Sequence, residues 1–346
     1  MAEPKPPLAA PTGSDERNLA EFPFALLTRK PGEGDAQTRV YRDGDREWTI
    51  SGAADCGLPT AADEAVYVAL MELARQQGFP QRVTFSRRDL LCRAGWQPDG
   101  AAFARLTQSL KCLVGVTVFA KNAFWNAKQG KWMGRAAFHI LEEYGTLADR
   151  DELDGRPKWW TRFSPRVYQN LRAGYTKDLD TTLFRRLTSA IARRLYRYLD
   201  GHRLDGKASY QMGLAKLAHE HLGLSRDYYP SQLKRELDRA HRELVATGFL
   251  SRAAYGRLRG GGEKVIYHFP RRGATGTRGA LSGQQQLALW WEEQSEAARQ
   301  AHTEAALAAL AQENPTLAEF AQQRPDSEAV RTALAPHLLL RAGIEE

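Results

Sequence analysis

The chain is poor in cysteine: Cys56, Cys92 and Cys112 are its three, widely separated, with no CxxC pair and no paired histidines nearby. Neither a disulfide framework nor a zinc site is signalled, and a reducing cytoplasm is the compartment this usage fits. No apolar run approaches the roughly 20 residues that a membrane span needs, so no membrane partner is expected. Residues 1–20 are rich in proline and polar side chains, lack the apolar stretch of a signal peptide, and read as a disordered tail.

Complete catalytic signatures are missing as well. His219-Glu220-His221 offers the paired histidines of a DNA nickase and Tyr228-Tyr229 a nucleophile. Such histidines must project to one face of a strand, whereas the surrounding LAKLAHEHLGL has helical spacing, on which residues two apart diverge by about 200 degrees. The run from Gly201 to Ala208 nearly matches a phosphate-binding P-loop, but position 208 is Ala, which cannot ligand Mg²⁺, and the segment lies between a helix and a short strand. The plain reading is a helix end and a turn. No enzyme, cofactor or metal is expected.

What the chain does contain is one cassette of elements written twice. In the later copy, Asp180 to Gly201 places Phe184, Leu187, Ile191, Leu195 and Tyr198 at helical spacing with arginines on the other faces. A short strand or turn, Ser209 to Met212, and a helix, Leu214 to Leu222, follow. A third helix runs from Pro230 to Thr247, with Leu233, Leu237, Ala240 and Leu244 inward and Gly248 as its stop. Strands at Phe249 to Leu258 and Lys264 to Phe269, joined by Gly260-Gly261-Gly262, make a hairpin. The earlier copy repeats the order with Ala62 to Gln77, Val83 to Phe85, Ser86 to Ala94 and Asp99 to Val114, closed by strands Val116 to Trp125 and Lys131 to Leu141. Helix, strand, helix, helix, hairpin is the order of a winged helix.

The expected fold class is therefore α+β: two tandem winged-helix domains with an N-terminal strand-rich extension and a helical C-terminal tail. Residues 21–146 hold the extension and the first domain, 147–271 a connecting segment and the second, 272–283 a Gly/Arg/Thr linker, and 284–346 an acidic helical tail. Within that tail Gln284 to Gln312 and Pro315 to Ala342 look helical, with Leu287, Trp290 and Trp291 at its start.

Charge is divided unevenly. Residues 281–346 hold four Lys/Arg against ten Asp/Glu, and the other 280 residues hold 45 against 31. The basic part is the part with the winged helices, which points to a polyanion, since Lys and Arg displace condensed counterions from phosphate. A solvated basic surface is the bland alternative. Trp125, Trp132, Trp159 and Trp160, near Lys128, Lys131 and Lys158, would suit base stacking on single strands; sheet core is the favoured reading.

The major groove of double-stranded DNA admits a helix, and in a winged helix it is the third. On the third helix of the later copy Gln232, Arg235, Arg239 and Arg242 share a face opposite the leucines. Gln232 and Arg235, near its N-terminus, are expected to read bases, and Ser231 and Lys234 to meet phosphates; Arg239 and Arg242 either join them or pair with Asp238 and Glu243. Arg257, Arg259 and Lys264 flank the glycine turn, where a wing lies along the backbone or a solvated tip simply ends. The matching face of the earlier copy, Arg105, Gln108, Ser109 and Lys111, is less basic.

Three phrases then carry a family likeness: Phe22-Pro23-Phe24-Ala25-Leu26-Leu27 followed by Trp48-Thr49-Ile50-Ser51; Gly57-Leu58-Pro59-Thr60-Ala61-Ala62-Asp63-Glu64; and Leu183 to Leu199 with its ARRLYRYL. Over roughly Ala20 to Arg271 the chain resembles the plasmid replication initiator protein A family. That resemblance implies a bacterial plasmid or megaplasmid initiator that binds repeated origin sites, recruits host replication proteins and exchanges between a homodimer and monomers. The residues themselves point only to sequence-specific DNA binding, which a transcriptional repressor would share; a relaxase would need metal-dependent nicking.

Overall fold

In a computed structural model the described residues are 13–27, 37–150, 157–203, 207–270 and 296–313, with single positions 315, 318, 334 and 337. The chain divides into two units, residues 1–274 and 275–346. One hydrophobic core runs through the first unit from Leu19 to Phe269.

The earlier cassette is built from α2 (Ala61–Gln76), β4 (Val83–Phe85), α3 (Arg87–Arg93) and α4 (Gly100–Gly115), preceded by β1 (Gly13–Glu16), α1 (Arg17–Glu21), β2 (Thr38–Asp43) and β3 (Arg46–Ser51). The GLPTxxD phrase starts α2: Asp63 accepts hydrogen bonds from the Thr60 backbone N–H (2.7 Å) and hydroxyl (2.9 Å), satisfying groups that a helix start leaves open. Val66, Leu70 and Leu73 point inward, as their spacing predicts. Ser86 caps α3 through the Asp89 N–H, and Asp99 caps α4 through that of Ala102.

After α4 the chain departs from expectation. Strands β5 (Thr117–Asn126) and β6 (Lys131–His139) form where the alternation predicts them. They are not the wing of this copy, however: they pair with β2 and β3 in a sheet of order β2-β3-β5-β6. The wing is the following hairpin, β7 (Leu141–Arg150) and β8 (Pro157–Phe163), which joins the short first strand in the order β4-β8-β7. The physical reason lies in the hairpin's inner face, where Phe124 and Phe138 pack against each other (4.7 Å) and Phe138 meets Trp48 of β3 (5.9 Å). Burying an aromatic side chain of this kind stabilises by roughly 1.5–3 kcal/mol, and strand alternation specifies that face without specifying its partner.

A short helix, α5 (Pro165–Arg172), leads to β9 (Thr176–Leu179), α6 (Thr181–Arg186) and α7 (Ala190–His202). The single helix expected over Asp180–Gly201 is thus two. Ser189 caps α7 through the Ala192 N–H, and the Glu243 carboxylate accepts from Thr188 N–H (2.8 Å) and Ser189 N–H (3.2 Å), giving the break its own hydrogen bonds. Then come β10 (Ser209–Gly213), a three-residue α8 (Leu214–Lys216) that passes into a π-helical turn, Leu217–Leu222, and α9 (Pro230–Ala246). Strands β11 (Arg252–Arg257) and β12 (Glu263–His268) close the unit in the order β10-β12-β11. First strand, third strand, second strand is the order in both cassettes.

Two sequence readings are corrected by the charged core. Residues 13–20, expected to be disordered, form β1 and α1, and β1 pairs antiparallel with β9. Arg194 and Arg197, read as surface arginines of α7, are 1% and 0% exposed. Arg197 meets Asp15 (2.7 and 2.8 Å), Glu64 and the Leu19 carbonyl (3.1 Å). Arg194 donates to the carbonyls of Ala20, Glu21 and His221. A buried charge survives only when it is paired and hydrogen-bonded, and here every partner lies far away in the sequence, beyond the reach of local patterning. Gly13 is needed at this seam because a Cβ there would sit 2.6 Å from Thr181 Cγ2.

The expected linker, 272–283, and Leu287, Trp290 and Trp291 lie outside the described residues. In the second unit α10 (Glu296–Glu313) overlaps the first expected tail helix and ends one residue beyond it, and Ala306, Leu310, Ala318 and Leu334 form a small core.

Candidate nucleic-acid interface

Helix α9 starts with Pro230 at its first position and buries Leu233, Leu237, Ala240, His241 and Leu244. Its other face is open. Ser231 and Arg242 are exposed, and the side chains of Arg235 and Arg239 are 75% and 69% exposed. Arg235 stands 3.8 Å from Glu236, and Arg239 stands 3.5 Å from Glu243, whose carboxylate is already held at the α6–α7 break. Such solvated pairs are worth about 0–1 kcal/mol, little enough for phosphate or a base edge to displace. Arg235, Asp238 and Arg242 also line a groove between α9 and β11, opposite Arg252, Ala253 and Tyr255.

Two residues expected on this face are engaged elsewhere. The Gln232 side-chain oxygen accepts from the Tyr229 N–H (2.9 Å) and caps the helix. Lys234 is held by Glu263 of β12 (2.8 Å) with its ammonium 5.2 Å from the Tyr255 ring centre, tying helix to wing. Sequence reasoning weighed Tyr229 only as a nucleophile and passed over its place on this surface, where it stands 74% exposed at the entry of α9, and passed over Arg252 on the wing strand. An aromatic at a helix N-cap has no periodicity to mark it.

On the wing, Arg257 and Arg259 are exposed beside Leu258, around a turn in which Gly261 and Gly262 take φ values of +88° and +82° that favour glycine. Lys264 lies on the stem and donates to Gln211 of β10 (3.0 Å). His241, on the buried face of α9, bonds Tyr267 (3.1 Å), and burial pushes its pKa down to about 4.

The earlier cassette has a different surface. On α4 Arg105 lies over the Trp96 ring (4.9 Å), Gln108 contacts Cys112, Lys111 pairs with Asp55, and Ser109 is buried, not outward as its spacing suggested. Arg87 sits over Phe103 and Trp159 (4.9 and 5.2 Å), and Arg82 over Trp160 (4.1 Å), so the arginines beside this wing rest on rings. Trp159 and Trp160 are half-buried on β8, while Trp132 is 48% exposed and meets Trp125 edge-on at 5.4 Å.

Of the rejected catalytic motifs, the histidines stay apart from this surface, His221 being buried in the π-helical turn, while Tyr228 and Tyr229 are exposed at the start of α9; Gly201 lies in the last turn of α7 and Ala208 just before β10.

A family model described as Replication initiator protein A matches residues 14–245. Among solved structures the chain is similar to domains 2 and 3 of RctB, with a TM-score of 0.50 at 17% identity, covering 74% of this chain and 98% of that one. A second structure of those domains gives 0.44 at 13%, covering 73% and 97%. The Pi initiator protein in complex with iteron DNA gives 0.41 at 15%, covering 66% and 99%. At 17% identity the first likeness shows a shared fold. No curated protein matches the sequence.

Proposed function

The chain belongs to the replication initiator protein A family, and from that premise we propose that it binds repeated double-stranded sites at an origin, with α9 as the helix that reads bases. The observation that carries this reading is the open face of α9, where Arg235, Arg239 and Arg242 are exposed to solvent while the leucines opposite are buried. Arg235 is the base reader, since Arg bonds bidentately to guanine O6 and N7. Ser231, Arg239 and Arg242 set register through phosphates, and Arg257 and Arg259 bring the wing to the backbone. Gln232 and Lys234 support this surface from within. Arg105, Gln108 and Lys111 of α4 form a secondary, weaker contact.

The work is done by binding free energy. Bound at adjacent repeats, the protein would hold the origin in a fixed geometry on which host replication proteins assemble, and a homodimer is one of its states. A footprint of the purified protein on DNA flanking its own gene, at near-physiological salt, tests the reading. Several regularly spaced protected repeats are expected, together with rescue of a plasmid that carries that DNA as its only origin. A single protected promoter site without rescue would mean a repressor.

A further inference from the structure

His221 is a buried side chain with an unexplained atom. Its ring is 0% exposed, clamped between Phe22 (5.4 Å) and Tyr198 (4.8 Å). Nδ1 lies 3.2 Å from the Glu21 carbonyl, to which it donates as the protonated nitrogen, while Nε2 is buried without a hydrogen-bond partner. Buried polar atoms are nearly always satisfied, so such an exception calls for a physical reason. The residue sits in the π-helical turn, an irregularity that often marks a functional position.

Asp43 Oδ2 lies 3.6 Å from Nε2 and Glu21 Oε1 lies 3.7 Å from Nδ1, and one ligand atom each from Glu21, Asp43 and His221 lie within 4.8 Å of one another. Donors bound at about 2.1 Å to a tetrahedral ion stand about 3.4 Å apart, so a small closure brings the three to coordinating distance. A histidine that ligates a metal characteristically donates its other ring N–H to a carbonyl or carboxylate, which fixes tautomer and orientation; His221 does so already. Glu21 is oriented in turn by His202 (2.8 Å) and, with Arg46 and His202, borders a cavity of about 270 Å³.

We propose that Glu21, Asp43 and His221 form a binding site for a divalent transition-metal ion of the zinc type, of whose ligands Glu21 also borders that cavity. One imidazole and two carboxylates suit zinc or cobalt better than the all-oxygen shells of calcium or magnesium. Arg46 and Lys216 now pair with Asp43 and compete with the ion. The Lys216 side chain is 45% exposed and can swing into solvent when the ion enters. The ligands come from α1, the end of β2 and the turn after α8, so a bound ion would fasten the later winged helix to the N-terminal segment and its sheet.

The test uses the full-length, tag-free protein, stripped with chelator and titrated with Co²⁺, followed by Zn²⁺ competition. One equivalent should bind with a tetrahedral d–d absorption band that Zn²⁺ abolishes. Asp43→Asn and His221→Gln should weaken binding roughly tenfold or more, and Lys216→Met should tighten it by removing the competing ammonium. If His221→Gln does not fold, the opposed responses of Asp43→Asn and Lys216→Met decide. Absence of a band at millimolar Co²⁺, a sulfur-to-cobalt charge-transfer band from the cysteines, or affinity unchanged in Asp43→Asn and Lys216→Met would overturn the proposal.

Discussion

The two winged helices share a sheet order and differ in what they leave on the surface. In the later one α9 turns Arg235, Arg239 and Arg242 outward, two of them in solvated ion pairs, and the wing is a short hairpin with a glycine tip. In the earlier one a ten-residue strand and its partner intervene between helix and wing, the arginines near the wing lie on tryptophan and phenylalanine rings, and Lys111 is tied to Asp55. One scaffold is thus spent in two ways. The earlier copy builds the body by extending a sheet onto the N-terminal segment, and the later copy keeps an exposed arginine face.

The contact that joins them offers the largest effect. Arg197 of α7 holds Glu64 of α2 and Asp15 of β1 in a buried cluster. Arg197→Met leaves two buried carboxylates unpaired, and a loss of about 3–5 kcal/mol is expected, seen as a collapse of the thermal transition in both copies together. If only one copy melted early, the copies would be independent. Next, Arg235→Ala should lower affinity for the cognate site by about 1–3 kcal/mol, measured by fluorescence anisotropy at fixed salt, while Arg105→Ala on the earlier copy should change it less than threefold. Equal losses would erase the asymmetry.

Acid should distinguish the copies too. The unfolded chain protonates His241 near pH 6.5, whereas burial holds the folded residue neutral down to about pH 4. Its contribution is therefore complete above about 6.5 and is lost as pH falls toward 4, on the order of 3 kcal/mol over that window. Urea denaturation at pH 7.5 and 5 should show this loss, and His241→Leu should flatten it; an unchanged slope in the variant would place the acid sensitivity elsewhere. The smallest effect belongs to Gln232→Ala: about 1 kcal/mol of stability from the lost cap, read as a shift in the urea midpoint, with base preference intact.

The comparison also shows what a sequence can disclose. Helix α9 was legible to within a residue because leucine spacing, Pro230 and Gly248 are local signals, and the three glycines between β11 and β12 announced the wing. The earlier wing was not, because Val83–Phe85 is too short to declare a partner and the better-patterned hairpin stood next in line. Nor were Arg194 and Arg197: charge reads as surface unless the partner is known, and Asp15 lies 182 residues from Arg197. At the interface itself, helical spacing put Gln232 and Ser109 on the outer face, but capping consumed one and packing took the other.

The central claim is that α9 of the later copy, through Arg235, reads DNA sequence. The most direct measurement is selection of preferred sites from a random duplex library by the wild type, Arg235→Ala and Arg105→Ala. The account predicts a defined motif for the wild type, the same motif for Arg105→Ala, and relaxed preference at one or two positions for Arg235→Ala. An unaltered motif from Arg235→Ala would contradict it.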